Sequence, residues 1–231
     1  MSQQYQIGLV IFPDMTPLDI IGPHQVFSFI PNARVHLLWK AIAPVRSDNG
    51  LTVMPTATFE SCPPLDLICV PGGQGQPAMM LDEEVLQFLR VQGKTAKFVT
   101  SVCTGSLILA AAGLLEGYRA ATHWMFRDQL ALMGVEVVAE RVVIDRNRIT
   151  GGGITAGIDF GLVVASHLFG EEIAKTIQLL IEYNPAPPFD VGSPEKAGSA
   201  IVDGVKTLGK EVLDASLEAT KQVSSNRFSD V

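Results

Sequence analysis

Cys103 lies where a short apolar run typical of a β-strand passes directly into a run typical of a helix, within residues 97–110. This pattern predicts a nucleophile elbow, a sharp strand-to-helix turn that forces one side chain outward at the strand tip. The thiol would face the unpaired N–H groups of the next helix, whose dipole would stabilise a thiolate. The alternative is a small apolar residue at a strand end, where free cysteines are often found. The local pattern favours the nucleophile.

A glycine-rich loop, residues 71–75, follows another run of strand type. Glycines at Gly72 and Gly73 let backbone N–H groups approach a ligand closely. In an open α/β sheet this loop and the Cys103 turn both lie at strand carboxyl ends, where ligands bind. The N–H groups of Gly73 and Thr104 are therefore candidate donors to a developing negative charge. The alternative is a plain tight turn, and the spacing does not fit a phosphate-binding P-loop.

Asp19 is the carboxyl that we expect to partner Cys103, because it follows the first strand's loop and is thus placed on the same edge of the sheet. A buried carboxyl beside a thiolate has a raised pKa and can hold a proton that it shares or donates. An exposed helix-capping Asp is the alternative. His123 could act as a base, orient a polar group or merely start a helix, and the last reading is slightly favoured.

Composition restricts the class of protein. The chain has 231 residues, is 47% hydrophobic and carries a formal net charge of −7. These values predict a soluble protein of enzyme size and argue against nucleic acid or an anionic membrane as a partner. We see no secretory signal, so a cytoplasmic location is expected. Three cysteines fit neither a disulfide framework nor a zinc site, and Cys69 is expected in the core and Cys62 in a loop.

Apolar strand and helix patterns alternate along the chain, which predicts an α/β fold with a doubly wound, mostly parallel sheet between two layers of helices. Strands are predicted at residues 6–12, 35–42, 51–55, 65–70, 98–102, 135–138 and 142–144, and helices at 18–29, 82–92, 123–133, 156–169 and 171–181. Both of the last two helices are expected to pack inside. We expect residues 1–184 to form the α/β domain and 185–231 to form an extended strap and one amphipathic helix over 195–222, packed on the domain or on a second subunit.

Three motifs in order carry a family resemblance: Cys103 on its elbow, residues 71–73 before it and residues 121–124 after it. With them the chain resembles the PfpI-type superfamily of class I glutamine amidotransferase-like folds, which implies a flavodoxin-like sheet. Residues 18–23, 26–27 and 153–159 narrow the resemblance to the branch shared by AraC-type regulator sensor domains and isonitrile hydratases. It covers roughly residues 6–181. The remaining tail shows no helix-turn-helix signature, so the hydratases are the better match.

The resemblance implies a homodimeric hydro-lyase that converts a small apolar isonitrile, R–N≡C, and water into an N-substituted formamide through a thioimidate, without cofactor or metal. It assigns Cys103 as nucleophile and Asp19 as acid partner, with Thr104 beside the nucleophile. Gly72, Gly73, His123 and Ile154 are expected to form the oxyanion site or the pocket. Residues expected in its apolar wall are Trp124, Phe27 and Ile154.

Two features separate the chain from neighbouring branches. Peptidase-like members carry a His directly after the nucleophile, where this chain has Thr104, and members with chaperone or repair roles have a Glu where this chain has Asp19. Two alternatives stay open. One is a glyoxalase or deglycase acting on α-dicarbonyls, which would need a competent His123. The other is an oxidation sensor in which Cys103 forms a sulfinic acid beside Asp19.

Overall fold

A computed structural model describes residues 4–229, with side chains up to residue 225. The strands, in chain order, are β1 (Tyr5–Val10), β2 (Ala33–Trp39), β3 (Val45–Arg46), β4 (Thr52–Val53), β5 (Ala57–Thr58), β6 (Leu67–Val70), β7 (Phe98–Val102), β8 (Arg119–Ala120), β9 (Glu136–Val137), β10 (Val142–Asp145) and β11 (Arg148–Gly151). The helices are α1 (Leu18–Phe27), α2 (Gln76–Met79), α3 (Glu83–Thr95), α4 (Gly105–Ala111), α5 (Arg127–Leu132), α6 (Ala156–Phe169), α7 (Glu171–Leu180), α8 (Pro194–Ala197), α9 (Ser199–Leu208) and α10 (Lys210–Ser229). A 3-10 turn at Trp124–Phe126 leads into α5.

Seven strands form the central sheet in the order β10-β11-β7-β6-β1-β2-β5. All neighbouring pairs are parallel except β10 with β11. Strands β6 and β11 are buried along their whole length, as expected for parallel strands covered by helices on both faces. The order of the parallel core is the flavodoxin-like one, in which the crevice at the strand carboxyl ends binds ligands. The predicted doubly wound, mostly parallel fold is confirmed.

Short strands lie outside the central sheet. The run predicted as a strand at 51–55 contributes β4, which pairs with β3 across a turn at Gly50. β8 and β9 form a second small pair. The tight turn predicted at residues 145–148 joins β10 to β11, with Arg146 in the left-handed region at φ 54°. The pairs β3–β4 and β8–β9 are separate two-stranded sheets, whereas β10 and β11 belong to the central sheet, with β10 at its edge.

The prediction of a single helix over residues 195–222 is wrong. The chain forms α8, α9 and α10 instead, because it is interrupted at Gly198, whose φ of 77° lies in the left-handed region, and again at Gly209. The expectation that α7 packs inside holds for Ala174 and Ile177 only, since Leu179 is 82% exposed. A segment without helix or strand, residues 183–193, connects α7 to α8.

Helix α10 returns to the body and packs against α2 and α5. Its fully buried Ser216 hydroxyl lies 3.1 Å from Oε1 of Gln76 and also contacts Oε1 of Gln129. The Gln129 amide donates in turn to the Leu213 carbonyl at 3.0 Å. This polar contact fixes the C-terminal helix across 140 residues of sequence. Over the described range, no helix is long and apolar enough to cross a membrane.

Candidate active site

Cys103 stands on the predicted elbow between β7 and α4. Its φ of 56° lies in the left-handed region, an unfavourable conformation for a residue with a side chain. Its N–H donates to the Gly151 carbonyl at 3.1 Å, and its carbonyl accepts from the Ser106 and Thr122 hydroxyls at 3.2 Å each. The turn also depends on Gly105, because a Cβ there would lie 2.1 Å from the Val70 carbonyl oxygen. The surrounding structure therefore holds Cys103 in the strained geometry of a nucleophile elbow.

Asp19 lies in the first turn of α1 and is completely buried. Its Oδ2 accepts a hydrogen bond of 2.8 Å from the Gly72 N–H. Its Oδ1 is buried without a partner of hydrogen-bonding geometry in the described part of the chain. Burial is the main reason that the pKa of Asp19 is raised to about 7, against the weaker lowering effect of the Gly72 hydrogen bond. This carboxyl can gain or lose a proton near neutral pH.

The Cys103 thiol lies beside this carboxyl, close enough for each group to shift the other's pKa. Burial is the main reason that the pKa of Cys103 is raised well above its ordinary value, and the negative charge of Asp19 raises it further. Contacts with the Thr104 backbone and side chain lower the pKa by less. Desolvation of the thiol thus outweighs the stabilisation of a thiolate that was expected from the start of the helix. In the resting protein Cys103 is a neutral thiol. At neutral pH the pair holds a neutral thiol next to a carboxyl that is partly ionised.

The Gly72–Gly73 loop packs directly against the elbow. The Gly73 N–H donates to Thr104 Oγ1 at 3.2 Å, and the Gly72 carbonyl accepts from the Thr16 N–H at 2.9 Å. A Cβ at Gly72 would lie 2.5 Å from the Thr104 nitrogen, so the close approach requires glycine. The expected role of the Gly73 N–H as a free oxyanion donor does not match this geometry, because that N–H is already engaged. The loop instead positions Asp19 through Gly72 and Thr104 through Gly73.

A cavity of about 600 Å³ opens above the elbow. Five of the residues expected at the site share its lining: Gly73, Cys103, Thr104, His123 and Ile154. Asp19 and Gly72 lie behind this wall. The cavity therefore exposes the thiol to a ligand while the carboxyl stays dry.

Two residues expected in the apolar wall lie elsewhere. Phe27 is fully buried in the core, edge-on to Phe160 with ring centroids 6.1 Å apart. Trp124 lines an adjoining groove of about 430 Å³ instead. Apolar or small side chains that sequence reasoning missed take their place in the lining: Phe126, Leu208, Val212 and Ala215. Three of these come from the C-terminal helices, which carry no motif that could have revealed the contact.

The charged residues in the cavity lining are acidic: Asp14, Asp48 and Glu211. No Lys or Arg is found in the described lining, so the cavity suits a neutral ligand better than an anion. Across the described chain no group of three or more His, Cys, Asp or Glu side chains is placed to hold a metal ion.

His123 faces the cavity as a neutral imidazole. Burial, and to a lesser degree the charge of Arg127, lower its pKa to about 4. Its Nδ1 lies 3.4 Å from the Met125 N–H, an acceptor position that assigns the ring proton to Nε2. At neutral pH this ring can donate one hydrogen bond but is a weak base.

Comparisons with known proteins agree with this geometry. The chain is 51% identical over 220 residues to an isonitrile hydratase of Pseudomonas putida, covering 95% of this chain and 96% of that protein. It is 35% identical over 141 residues to the HTH-type transcriptional regulator GbdR of Pseudomonas aeruginosa, covering 60% of this chain and 38% of the regulator.

Among solved structures, a THiJ/PfpI family protein from Pseudomonas syringae superposes with a TM-score of 0.91 at 43% identity, covering 94% of this chain and 90% of that one. The predicted resemblance to the PfpI-type superfamily and to isonitrile hydratases is confirmed. Because the model of the DJ-1/PfpI family matches residues 5–167, the chain belongs to the DJ-1/PfpI family.

Proposed function

We propose that this protein hydrates isonitriles to N-substituted formamides, without a cofactor. The observation that carries the proposal is the pairing of a strained, cavity-facing Cys103 with the buried Asp19, whose pKa of about 7 suits proton transfer at neutral pH. The 51% identity to an isonitrile hydratase over 95% of the chain supports the choice of substrate.

In the first step the ionised Asp19 accepts the thiol proton while Cys103 Sγ bonds to the terminal isonitrile carbon. Asp19 then delivers that proton to the same carbon, and the C–N triple bond becomes a double bond. The product is a thioimidate, R–N=CH–S, attached to Cys103. One proton moves from sulfur to carbon through the carboxyl. A neutral resting thiol is therefore compatible with nucleophilic attack, because its base lies beside it.

In the second step water adds to the thioimidate carbon. Asp19 takes a proton from the water and passes it to the nitrogen, which gives a tetrahedral carbon that bears OH, NHR, H and sulfur. The C–S bond then breaks as the hydroxyl loses its proton and becomes the carbonyl, and that proton goes to sulfur. The sum is R–N≡C plus water to R–NH–CHO, with the enzyme unchanged. Thr104, whose hydroxyl and N–H contact the thiol region, stabilises the departing sulfur.

The cavity favours this substrate class. An isonitrile offers little to hydrogen-bond, so its substituent is held by apolar area. Phe126, Val212 and Ile154 supply such area in the lining of the cavity that Cys103 faces. Thr104, in the position where peptidase-like members carry His, argues against proteolysis.

The test measures turnover of cyclohexyl isocyanide and of methylglyoxal side by side. We expect formamide from the isocyanide, loss of turnover by at least about a thousandfold in Cys103→Ala, and a mass increase of one isocyanide on Cys103 in trapped enzyme. Cys62→Ala, which removes a half-buried loop thiol, is the matched control and retains activity. Full isocyanide hydration by Cys103→Ala would overturn the mechanism. Turnover of methylglyoxal alone would replace the substrate class.

A further inference from the structure

The active-site cavity is built from two parts of the chain. The family model matches residues 5–167, and this segment holds Asp19, Cys103, Thr104 and His123. The far wall comes from outside it, from the end of α9 and the start of α10. The lining residues of this part are Leu208, Gly209, Glu211, Val212 and Ala215. We call α9 and α10 together the C-terminal cap.

The cap is held in place over the cavity. Ser216, one residue after Ala215, is fully buried in its contact with Gln76 and Gln129. At Gly209 the cap approaches the 3-10 turn so closely that a Cβ would lie 2.5 Å from the Met125 methyl group. Val212 packs against the hydrophobic core at its edge. The cap wall therefore has a defined position relative to Cys103.

In the proposed reaction, the group R on the isonitrile nitrogen must point away from the elbow. The terminal isonitrile carbon must reach Cys103 Sγ, and the linear C–N–R group then projects from the elbow into the cavity. Cap residues in this space are apolar or small, apart from Glu211. Ala215 is an exposed residue of this lining, so a larger side chain there would narrow the cavity at its solvent side.

We propose that the C-terminal cap selects substrates by the size of the group on the isonitrile nitrogen, with Ala215 and Val212 as the specificity-determining residues. The small Ala215 leaves room for bulky neutral substituents such as branched or cyclic alkyl groups. This inference rests on the proposed isonitrile hydration for the identity of the substrate, but the size limit itself rests on the cavity alone.

The first test compares methyl isocyanide with cyclohexyl isocyanide as substrates of Ala215→Leu. We expect kcat/KM for the cyclohexyl compound to fall at least about tenfold and kcat/KM for the methyl compound to change less than about threefold. The reason is that an apolar pocket distinguishes substrates by how many carbon atoms fit into it. Ala200→Leu makes the same change at an exposed position of α9 outside the cavity lining and should leave both values unchanged. Equal losses on both substrates, or no loss on either, would overturn the proposal.

A second test does not depend on hydration. Methyl and cyclohexyl methanethiosulfonate each form a disulfide with Cys103 and release methanesulfinate, and intact mass measures both rates in a Cys62→Ala background. Ala215→Leu should slow the cyclohexyl reagent at least about tenfold relative to the methyl reagent. If the wild type hydrates no isonitrile but this selectivity appears, the proposed function fails and the cap's role stands. If wild-type hydration is observed but the selectivity is absent, the cap proposal alone is wrong.

Discussion

At the scale of single residues, the chemistry depends on the Cys103 thiol and the Asp19 carboxyl, whose surroundings raise the pKa values of both. Burial raises both, yet Asp19 reaches about 7 while Cys103 stays protonated well beyond it. The reactive state at neutral pH therefore has a protonated Cys103 thiol beside an ionised Asp19 carboxylate. An acid placed in this way can work as base and then as acid within one step.

This state predicts a bell-shaped pH profile of kcat/KM for isonitrile hydration. The acid limb rises through about pH 7, because Asp19 must be ionised to accept the thiol proton. The alkaline limb falls as the pH approaches the raised pKa of Cys103, because an ionised pair has no proton for carbon. Steady-state rates from pH 5 to 10 measure the acid limb, and the plateau above it should extend beyond pH 9 because the pKa of Cys103 lies well above its ordinary value of 9.0.

Two variants identify the origin of the acid limb. Asp19→Asn should lower kcat/KM by at least about a hundredfold and abolish the acid limb. His123→Gln should keep the limb, since the pKa of His123 lies at about 4, below the range measured. A limb near pH 7 that disappears in His123→Gln and persists in Asp19→Asn would show that the base is assigned to the wrong residue.

The same residues show what sequence could predict at this scale. Cys103 and Asp19 each follow a strand within a few residues, so chain order alone places both at one sheet edge. The engagement of the Gly73 N–H with Thr104 Oγ1 at 3.2 Å depends on how two loops meet, which no local pattern encodes. Desolvation of the thiol likewise depends on packing from the whole domain. Local sequence therefore predicted the two participants and the raised pKa of Asp19, but not that Cys103 is a protonated thiol.

At the scale of secondary-structure elements, most strands and helices of the α/β core were predicted because apolar periodicity and capping signals agree there, but β11 (Arg148–Gly151), an inner strand of the central sheet, was not. α6 was predicted with the bounds observed, Ala156–Phe169. The C-terminal helix was not, since glycines at Gly198 and Gly209 interrupt an otherwise continuous amphipathic pattern. Nor could periodicity show that this segment closes the cavity, because its anchor, Ser216, meets Gln76 from 140 residues away.

That anchor yields a prediction about α10. Ser216→Ala removes the hydroxyl that contacts two buried glutamine oxygens, which should cost roughly 1–3 kcal/mol. Thermal denaturation should show a lower Tm, and amide exchange should accelerate in α10 but not in α4. Ser199→Ala, at an exposed position of α9, is the control and should leave both measurements unchanged. Unchanged exchange in α10 of Ser216→Ala would show that apolar packing alone holds the cap.

At the scale of the whole molecule, α1 is one of the helices that expose large apolar side chains in the single chain. The solvent-facing side of a helix in a single domain is normally polar. The inner side of α1 packs against α6, yet Leu18 and Ile21, one turn apart on its outer side, are 41% and 46% exposed. Leu179 of α7 is more exposed still, but α7 is amphipathic, with Glu171, Glu172 and Lys175 on its surface.

We propose that a second copy of the chain covers α1 in a homodimer. The wild type should then scatter light with a mass near twice the 24.8 kDa of the chain. Ile21→Glu places a charge in the buried interface and should shift the mass toward that of one chain, whereas Leu179→Glu should leave it unchanged. A monomeric wild type at working concentration would refute the dimer, and dissociation by Leu179→Glu alone would move the interface to α7. Because α1 also carries Asp19, a dimer through this face would rigidify the helix that holds the catalytic carboxyl.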